Sequence, residues 1–397
     1  MRITIYLRDL YLEGGGIARL VLDLCDYLAR SGCDTTLATW DARDVPAAWS
    51  TPAPGRPRLV LIRPPGPLGM FDPALTRQLT RLVDESDVLH MHVPWDPSVA
   101  RLASIARRRD KPYILTPNGM LDRWCLRQGW LKKQMYLAVA GRRILRHAAC
   151  IHCASRAELD QTRPLHPNTP GAPIPCLLDL EQFRALPGPD AARRKFDLPA
   201  DDAPNILFFS RLHYKKRPEL LIRAAAVLRD RAAPFRLLIA GPGEPDYLRT
   251  LESLVRECGL AGQARFLGMV TREFKASLYQ ACDVMVLPTS QENFGIVYFE
   301  SLACATPVIT TTGTDTWTEL RDSGGAAIID DRGDEDLVRS LADTLAGLLA
   351  DRPRLVAMGK QGRRWVLDHL DPASVVAQYV QMYRRAIDGA AAPGGAT

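Results

Sequence analysis

The stretch DVMVLPTSQENFGIVYFESLACATPVITTT (residues 283–312) reads as strand, loop, helix and strand in turn. DVMVLPTS is a short apolar run that stops at Pro288, a residue that cannot donate to a sheet ladder. QENFG is a polar loop, IVYFESLAC reads as a buried helix, and TPVITTT is a second strand. Strand, helix and strand in that order is the unit of a parallel sheet covered on both faces.

The same alternation runs outward from there. NILFFSRL, FRLLIAGPG and ARFLGMV are further strands on the N-terminal side, and helices are expected at about 334–350 and 353–369. Upstream, RITIYLR, DTTLATW, DVLHMHV, KPYILTP and AACIHCAS are strands of a separate set. Between the first two, IARLVLDLCDYLARSG places Leu20, Leu24, Tyr27 and Leu28 at helical spacing and closes at Gly32. Residues 46–73 are dense in proline and are expected to be irregular, and ALPGPDAARRKFDLPADDAP reads as a link. The expected fold is α/β, with two doubly wound, Rossmann-like parallel-sheet domains at 1–183 and 184–371. An amphipathic helix follows at about 372–388, then a disordered tail at 389–397. Ligands of such sheets bind at the carboxyl ends of the strands, so a cleft faced by both sheets is the expected active site.

Composition narrows the class. The chain has 397 residues, 47% of them hydrophobic and 24% charged, as in a soluble globular protein. No apolar run approaches the roughly 20 residues that span a bilayer, and Arg8, Asp9 and Glu13 interrupt any signal-peptide core. A cytoplasmic location is therefore expected. The net charge of +6 fits anionic small molecules or an anionic membrane surface; no nucleic-acid-binding signature accompanies it. The nine cysteines have no framework spacing, and Cys150 and Cys153 sit in an apolar run, so reduced core thiols are expected.

Chemistry gathers at residues 292–300. The first amides of the helix, near Asn293, Phe294, Gly295 and Ile296, lack intrahelical partners and favour anions. Gly295 lets a ligand approach the backbone. Glu292 stands before the helix and Glu300 about one turn inside it, and a carboxylate accepts hydrogen bonds from paired hydroxyls. Such a site suits a ligand with phosphate in the middle and polyols at both ends, as in a nucleotide-sugar. Arg211 and Lys216, directly after a strand, offer a planar fork and a point charge for phosphate, whereas Lys215 and Arg217 are expected to be solvated. Gly14, Gly15 and Gly16 open a helix after the first strand and could cradle a phosphate, without completing a dinucleotide fingerprint.

Together these pieces resemble the retaining glycosyltransferases of the GT-B fold, specifically glycosyltransferase family 4. The E-x7-E element is matched by Glu292 and Glu300, and R-L-x-x-x-K by Arg211, Leu212 and Lys216. The Gly-Gly loop is matched by Gly15 and Gly16, and D-V-h-H-x-H by Asp87, Val88, His90 and His92. The resemblance implies that Arg211 and Lys216 neutralise the donor diphosphate as leaving group. Glu292, with the amides of Asn293, Phe294 and Gly295, would hold the donor sugar, and Glu300 the ribose. The Gly15-Gly16 loop would close over the phosphates, and Gly268 and Met269 would face the base. The last helix would cross back onto the N-terminal domain. Three positions depart from the family pattern. Asn118 replaces a histidine in T-x-H-G, Cys176 and Leu177 stand where P-N-G is usual, and Ala305 replaces a glycine.

The implied function is a retaining, metal-independent transfer of sugar from a nucleotide-sugar co-substrate, a UDP- or GDP-sugar, with no cofactor. The acceptor would be a saccharide or a lipid-linked glycan, in surface polysaccharide synthesis. No metal site is expected: Asp334, Glu335 and Asp336 read as a helix cap, and His90 and His92 have no evident third ligand. A glycosidase pair would leave Arg211, Lys216 and the glycines unexplained. A phosphorylase would need a cofactor lysine that has no place here. A nucleotide-sugar epimerase of the same fold and a non-catalytic saccharide-binding relative stay open as alternatives.

The acceptor side falls to the N-terminal domain, with His92, Trp95, Asp96 and Asn118 as its candidate residues. NGMLDRWCLRQGWLKKQMYLAVAGRRILRH combines Trp124 and Trp130 with Arg123, Arg127, Lys132, Lys133, Arg142, Arg143 and Arg146. It reads either as a surface helix with two packed tryptophans or as a face that docks on an anionic membrane. The second reading places the protein peripherally at the inner face of the membrane.

Overall fold

The structure is a computed structural model that describes residues 1–11, 16–63, 72–231 and 234–391. It divides into two compact units, Met1–Leu178 with Pro372–Thr397, and Asp179–Asp371.

The first unit holds a seven-stranded, wholly parallel sheet. Its strands are β1 Arg2–Tyr6, β2 Asp34–Thr39, β3 Arg58–Leu61, β4 Val88–His92, β5 Tyr113–Thr116, β6 Cys150–Cys153 and β7 Gly171–Pro173, in the order β3-β2-β1-β4-β5-β6-β7. Alternate residues serve opposite faces. Ile3 and Ile5 join a core with the helix Gly16–Arg30 and the last helix, while Tyr6, Leu89 and Met91 join the core on the other face. Burial on both faces is why these strands read as near-continuous apolar runs. The last helix, Pro372–Ala391, buries Val375, Val376, Tyr379, Met382 and Tyr383 in the first unit. The two valines and the methionine each contribute about 1.5–3 kcal/mol by that burial. This helix runs to Ala391, into the stretch expected to lack structure.

The second unit holds a six-stranded parallel sheet. Its strands are β8 Asn205–Phe209, β9 Arg236–Ala240, β10 Ala264–Gly268, β11 Val284–Leu287, β12 Val308–Thr311 and β13 Ala326–Ile329, in the order β10-β9-β8-β11-β12-β13. Three strands, β3, β7 and β13, were not anticipated. All are edge strands of three or four residues, too short to show a period, and β3 lies inside the proline-dense segment. The second unit begins at Asp179 rather than at residue 184. The segment 185–204, expected to be a link, is packed into this unit. Gly188 N–H donates to Gln280 Oε1 (2.8 Å) and Ala192 N–H to Ser277 Oγ (2.9 Å).

Candidate active site

In the second unit, loops at residues 210–217, 241–244 and 288–295 leave the carboxyl ends of β8, β9 and β11. Gly241 (φ +131°) lies so close to the β8 loop that a Cβ would sit 1.9 Å from the Ser210 carbonyl oxygen. The Lys215 carbonyl ties the β8 and β11 loops together, accepting from Ser290 N–H (2.9 Å) and from the Thr289 hydroxyl (3.0 Å).

That tie brings Lys216 to Glu292. Lys216 ends the turn Tyr214–Lys216, and its Nζ donates to Glu292 Oε2 at 2.5 Å, with both side chains largely buried. Glu292 Oε1 accepts from Asn293 N–H (3.1 Å). The Glu292 backbone is fixed on both sides, donating to Gly313 O (3.0 Å) and accepting from Asp315 N–H (2.9 Å). Asn293 Nδ2 donates to Asp315 Oδ2 at 3.2 Å. Gly295 follows in the left-handed region (φ +68°), where a Cβ would lie 2.3 Å from the Tyr298 ring, so only glycine fits. It opens the helix Ile296–Ala303, whose start carries no side-chain cap. The Phe294 side chain is core, stacked 4.8 Å from Phe299, so this residue has only its backbone to offer a ligand. Arg211 is exposed on the same β8 loop. His213 beside it is held below the ordinary histidine value by partial burial and by Arg211, Lys215 and Lys216, which marks the spot as electropositive. Arg217 is not solvated as expected: it pairs with Asp331 at 2.7 Å, and both side chains are about four-fifths covered.

Glu300 is buried inside the helix. Lys275 Nζ donates to its Oε1 (2.7 Å) and Tyr279 Oη to its Oε2 (3.2 Å). Burial, followed by the Glu300 charge, raises the Tyr279 phenol well above its ordinary value, so it stays a donor. Lys275 and Tyr279 were missed from sequence. Their i, i+4 spacing on the helix Arg272–Gln280 was the available signal. Gly268 ends the edge strand β10 with open space around it, and Met269 is exposed; among the described residues neither is hydrogen-bonded to Glu292 or Glu300.

In the first unit, His92 ends β4 and is buried. Asn118, left-handed at φ 53°, places its Nδ2 3.2 Å from Thr116 O and 3.3 Å from His92 Nδ1. A carbonyl can only accept, so the amide nitrogen faces Thr116, and His92 Nδ1 accepts from it. The neutral His92 ring then carries its proton on Nε2, and Nε2 has no partner among the described residues. Burial pushes His92 down to about 3 and His152 down to about 4, and His90 well below its ordinary value. The neutral rings form one directed chain. His152 Nε2–H donates to Ile174 O (2.9 Å), Thr116 O–H to His152 Nδ1 (2.8 Å), His90 Nε2–H to Thr116 Oγ1 (2.6 Å) and Tyr383 O–H to His90 Nδ1 (2.8 Å). Asp96 caps the helix Pro97–Arg108, accepting from Ser98 N–H (2.9 Å) and the Tyr6 hydroxyl (3.2 Å). Trp95 Nε1 donates to Met120 O at 3.2 Å. Gly16 opens the helix Gly16–Arg30 and is exposed, whereas Gly14 and Gly15 lie outside the described residues. Asp334, Glu335 and Asp336 occupy the first turn of their helix, behind an N-cap at Gly333, instead of forming the cap themselves.

Residues 190–365 match the family described as glycosyl transferases group 1, and residues 15–176 match a glycosyl transferase 4-like domain. The D-inositol 3-phosphate glycosyltransferase of Kineococcus radiotolerans is 29% identical over 97% of this chain and 93% of its own length. The GDP-mannose-dependent alpha-(1-6)-phosphatidylinositol monomannoside mannosyltransferase of Mycolicibacterium smegmatis is 27% identical over 78% of this chain and 80% of its own. Among solved structures, Anabaena HepE in complex with UDP-glucose superposes with a TM-score of 0.76 at 16% identity, over 97% of this chain and 99% of that one. With both units matched and the two parallel sheets in place, the chain belongs to the GT-B-fold glycosyltransferases of family 4, the glycosyl transferases group 1.

Proposed function

We propose that this glycosyltransferase is retaining and metal-independent, and that it moves a sugar from a UDP- or GDP-sugar onto a saccharide or a lipid-linked glycan in surface polysaccharide synthesis. The observation that carries the reading is Glu292 held by Lys216 at the start of a helix whose left-handed Gly295 exposes backbone amides. Lys216 and Arg211 supply the positive charge that a departing diphosphate requires, which is the role a metal would otherwise fill. The amides from Asn293 to Ile296 add donors at the positive end of the helix. Glu292 takes the hydroxyls of the donor sugar, and Glu300, steadied by Lys275 and Tyr279, takes the ribose hydroxyls.

In the reaction, the bond from the anomeric carbon to the phosphate oxygen breaks. A bond from the acceptor oxygen forms on the same face of the sugar, and the acceptor's proton passes to the departing phosphate. This route needs no protein base, which fits Asn118 in place of a histidine. His92, with its free Nε2–H, is assigned to hold a sugar or acceptor oxygen. The similar proteins are named for GDP-mannose, UDP-glucose and inositol-bearing acceptors, which supports a nucleotide-sugar donor and leaves both bases in play.

The test is a thermal-shift panel of UDP, GDP, ADP and their sugar conjugates, since a ligand of the folded state raises its melting temperature. A selective shift by one nucleotide is expected. No shift with any of them sinks the reading. With the donor named, the anomeric configuration of the product decides retention, and full turnover in a chelator decides metal independence.

A further inference from the structure

Glu158 of the first unit is a fully buried residue that no step of the proposed transfer uses. It lies in the first turn of the helix Arg156–Thr162, behind the N-cap Ser155. Its N–H donates to Ser155 Oγ at 3.1 Å, which is half of a capping box. The carboxylate does not stop at the helix end. Oε2 accepts from Ala154 N–H (2.8 Å), ahead of the cap, and Oε1 crosses to the loop after β5 and accepts from Gly119 N–H (2.6 Å). Burying a carboxylate is costly unless its oxygens are hydrogen-bonded, and a neutral glutamine serves a capping box equally well. What the carboxylate adds is a grip on two N–H groups at once, because both of its oxygens accept.

The loop that it grips carries Asn118. Asn118 (φ 53°) and Gly119 (φ 72°) are consecutive left-handed residues, and Met120 N–H closes their turn on Pro117 O at 3.1 Å. In that turn the Asn118 side chain folds back, with Nδ2 between Thr116 O and His92 Nδ1. The end of β4 is drawn to the same carbonyl. Val93 N–H donates to Thr116 O (3.2 Å), and Val93 is held at φ 64°, an outlier for a β-branched residue. Two non-glycine residues are thus held left-handed beside one buried ring, and such conformations cluster where geometry serves function.

His92 also differs from its buried neighbours. His90 and His152 each use both ring nitrogens within the fold. Among the described residues His92 uses Nδ1 alone, and its partner there is Asn118. Asn118 therefore decides which nitrogen of His92 carries the proton. Asn118 is aimed by the turn at Gly119, and Glu158 holds that turn against the end of β6.

We infer that Glu158 is a positioning residue for transfer. By holding Gly119 and Ala154 it keeps Asn118 on His92 Nδ1, which leaves the His92 proton on Nε2, ready for an oxygen of the sugar or the acceptor. The inference rests on the proposed function for the identity of that oxygen, but the tautomer of His92 is measurable without turnover.

The experiment is a long-range proton–nitrogen NMR spectrum of the full chain labelled in its seven histidines, with His92 assigned from His92→Gln. Protonated and bare ring nitrogens resonate apart, so the spectrum reads the tautomer. The natural chain should show His92 as a single Nε2–H form at neutral pH. In Glu158→Gln one oxygen becomes a donor, so only one of the two N–H groups keeps its acceptor. His92 should then become a mixture of tautomers, and kcat should fall about ten- to a hundredfold, as for a misplaced contact group. KM for the donor should hold, because on the proposed reading the second unit binds the nucleotide. Ser155→Ala is the control for a merely structural role. It removes the helix cap and leaves both Glu158 oxygens in place, so it should lower the urea midpoint with His92 and kcat as in the natural chain. Unaltered His90 and His152 signals report an intact first unit. If Glu158→Gln disturbs them, Glu158→Asp takes its place, with a carboxylate one methylene too short to hold both loops and the same outcome expected. A natural chain with its His92 proton on Nδ1 overturns the inference. So does a variant in which the tautomer and kcat both stay, or in which either moves without the other. A chain that binds no nucleotide overturns the transferase reading, while the tautomer result stands by itself.

Discussion

Lys216 and Glu292 stand 76 positions apart and share a 2.5 Å contact, each occupying the group that the other's ligand would use. On the proposed reading a phosphate draws Lys216 away from Glu292, and the carboxylate so released takes sugar hydroxyls. Binding of the two halves of the donor would then be coupled through one ion pair.

Glu292→Gln therefore separates two effects. Transfer should fall about a hundredfold or more, the size of losing one charged contact made in the transition state. Affinity for the bare nucleoside diphosphate should rise several-fold, by about 1 kcal/mol, because Lys216 is no longer held by an opposing charge. Calorimetry of nucleotide binding beside a transfer assay reads both. Weaker diphosphate binding by the variant would show that the pair does not compete with phosphate.

Lys275→Met tests the buried carboxylate. It leaves the Glu300 carboxylate with Tyr279 as its one remaining side-chain donor among the described residues, which should cost about 1–3 kcal/mol in urea unfolding. A carboxylate free to rotate also loses its aim, so the preference for a ribonucleotide over its 2′-deoxy form should shrink. Unchanged stability together with an intact ribose preference would show Lys275 to be idle.

Ala305→Gly is expected to stabilise the second unit. Ala305 follows the helix Ile296–Ala303 with φ 61°, a left-handed conformation that favours glycine. Part of that gain is offset by the extra freedom glycine brings to the unfolded chain, so about 0.5–1 kcal/mol should remain. A lower urea midpoint for the variant would mean that the Ala305 methyl packs better than its backbone suffers.

These residues show what sequence can carry. The strands β8, β11 and β12 are buried apolar runs whose composition states their role, and the sequence places Lys216 after β8 and Glu292 after β11, each at the carboxyl end of its strand. The contact between those two depends on the Lys215 carbonyl binding Thr289 and Ser290, a backbone event with no signature in side-chain identity. Lys275 escaped notice because lysine on a helix is solvated by default, and only the fold shows a carboxylate beneath it. The left-handed Ala305 was visible as a departure from family pattern, but its dihedral angle was not. The edge strands β3, β7 and β13 have too few residues for a period of two to show.

The buried histidines set an acid limit on the first unit. His90, His92 and His152 are neutral in the folded chain because burial disfavours their charged forms, whereas in the unfolded chain they titrate near 6.5. Below that value the unfolded state binds protons that the folded state refuses, so stability rises with pH and is lost as pH falls. The loss begins near pH 6.5 and continues to about 4 for His152 and about 3 for His92. Each histidine contributes up to about 1.4 kcal/mol per pH unit inside its window. Between pH 6.5 and 5 most carboxylates are still ionised in both states, so the histidines dominate the slope there. His152→Gln keeps an amide donor for the Ile174 carbonyl and removes one titrating group. The slope of urea stability against pH should flatten by about one proton in that interval. An unaltered slope would show that His152 is already protonated in the folded protein, and that the directed chain from Tyr383 to Ile174 is wrongly oriented.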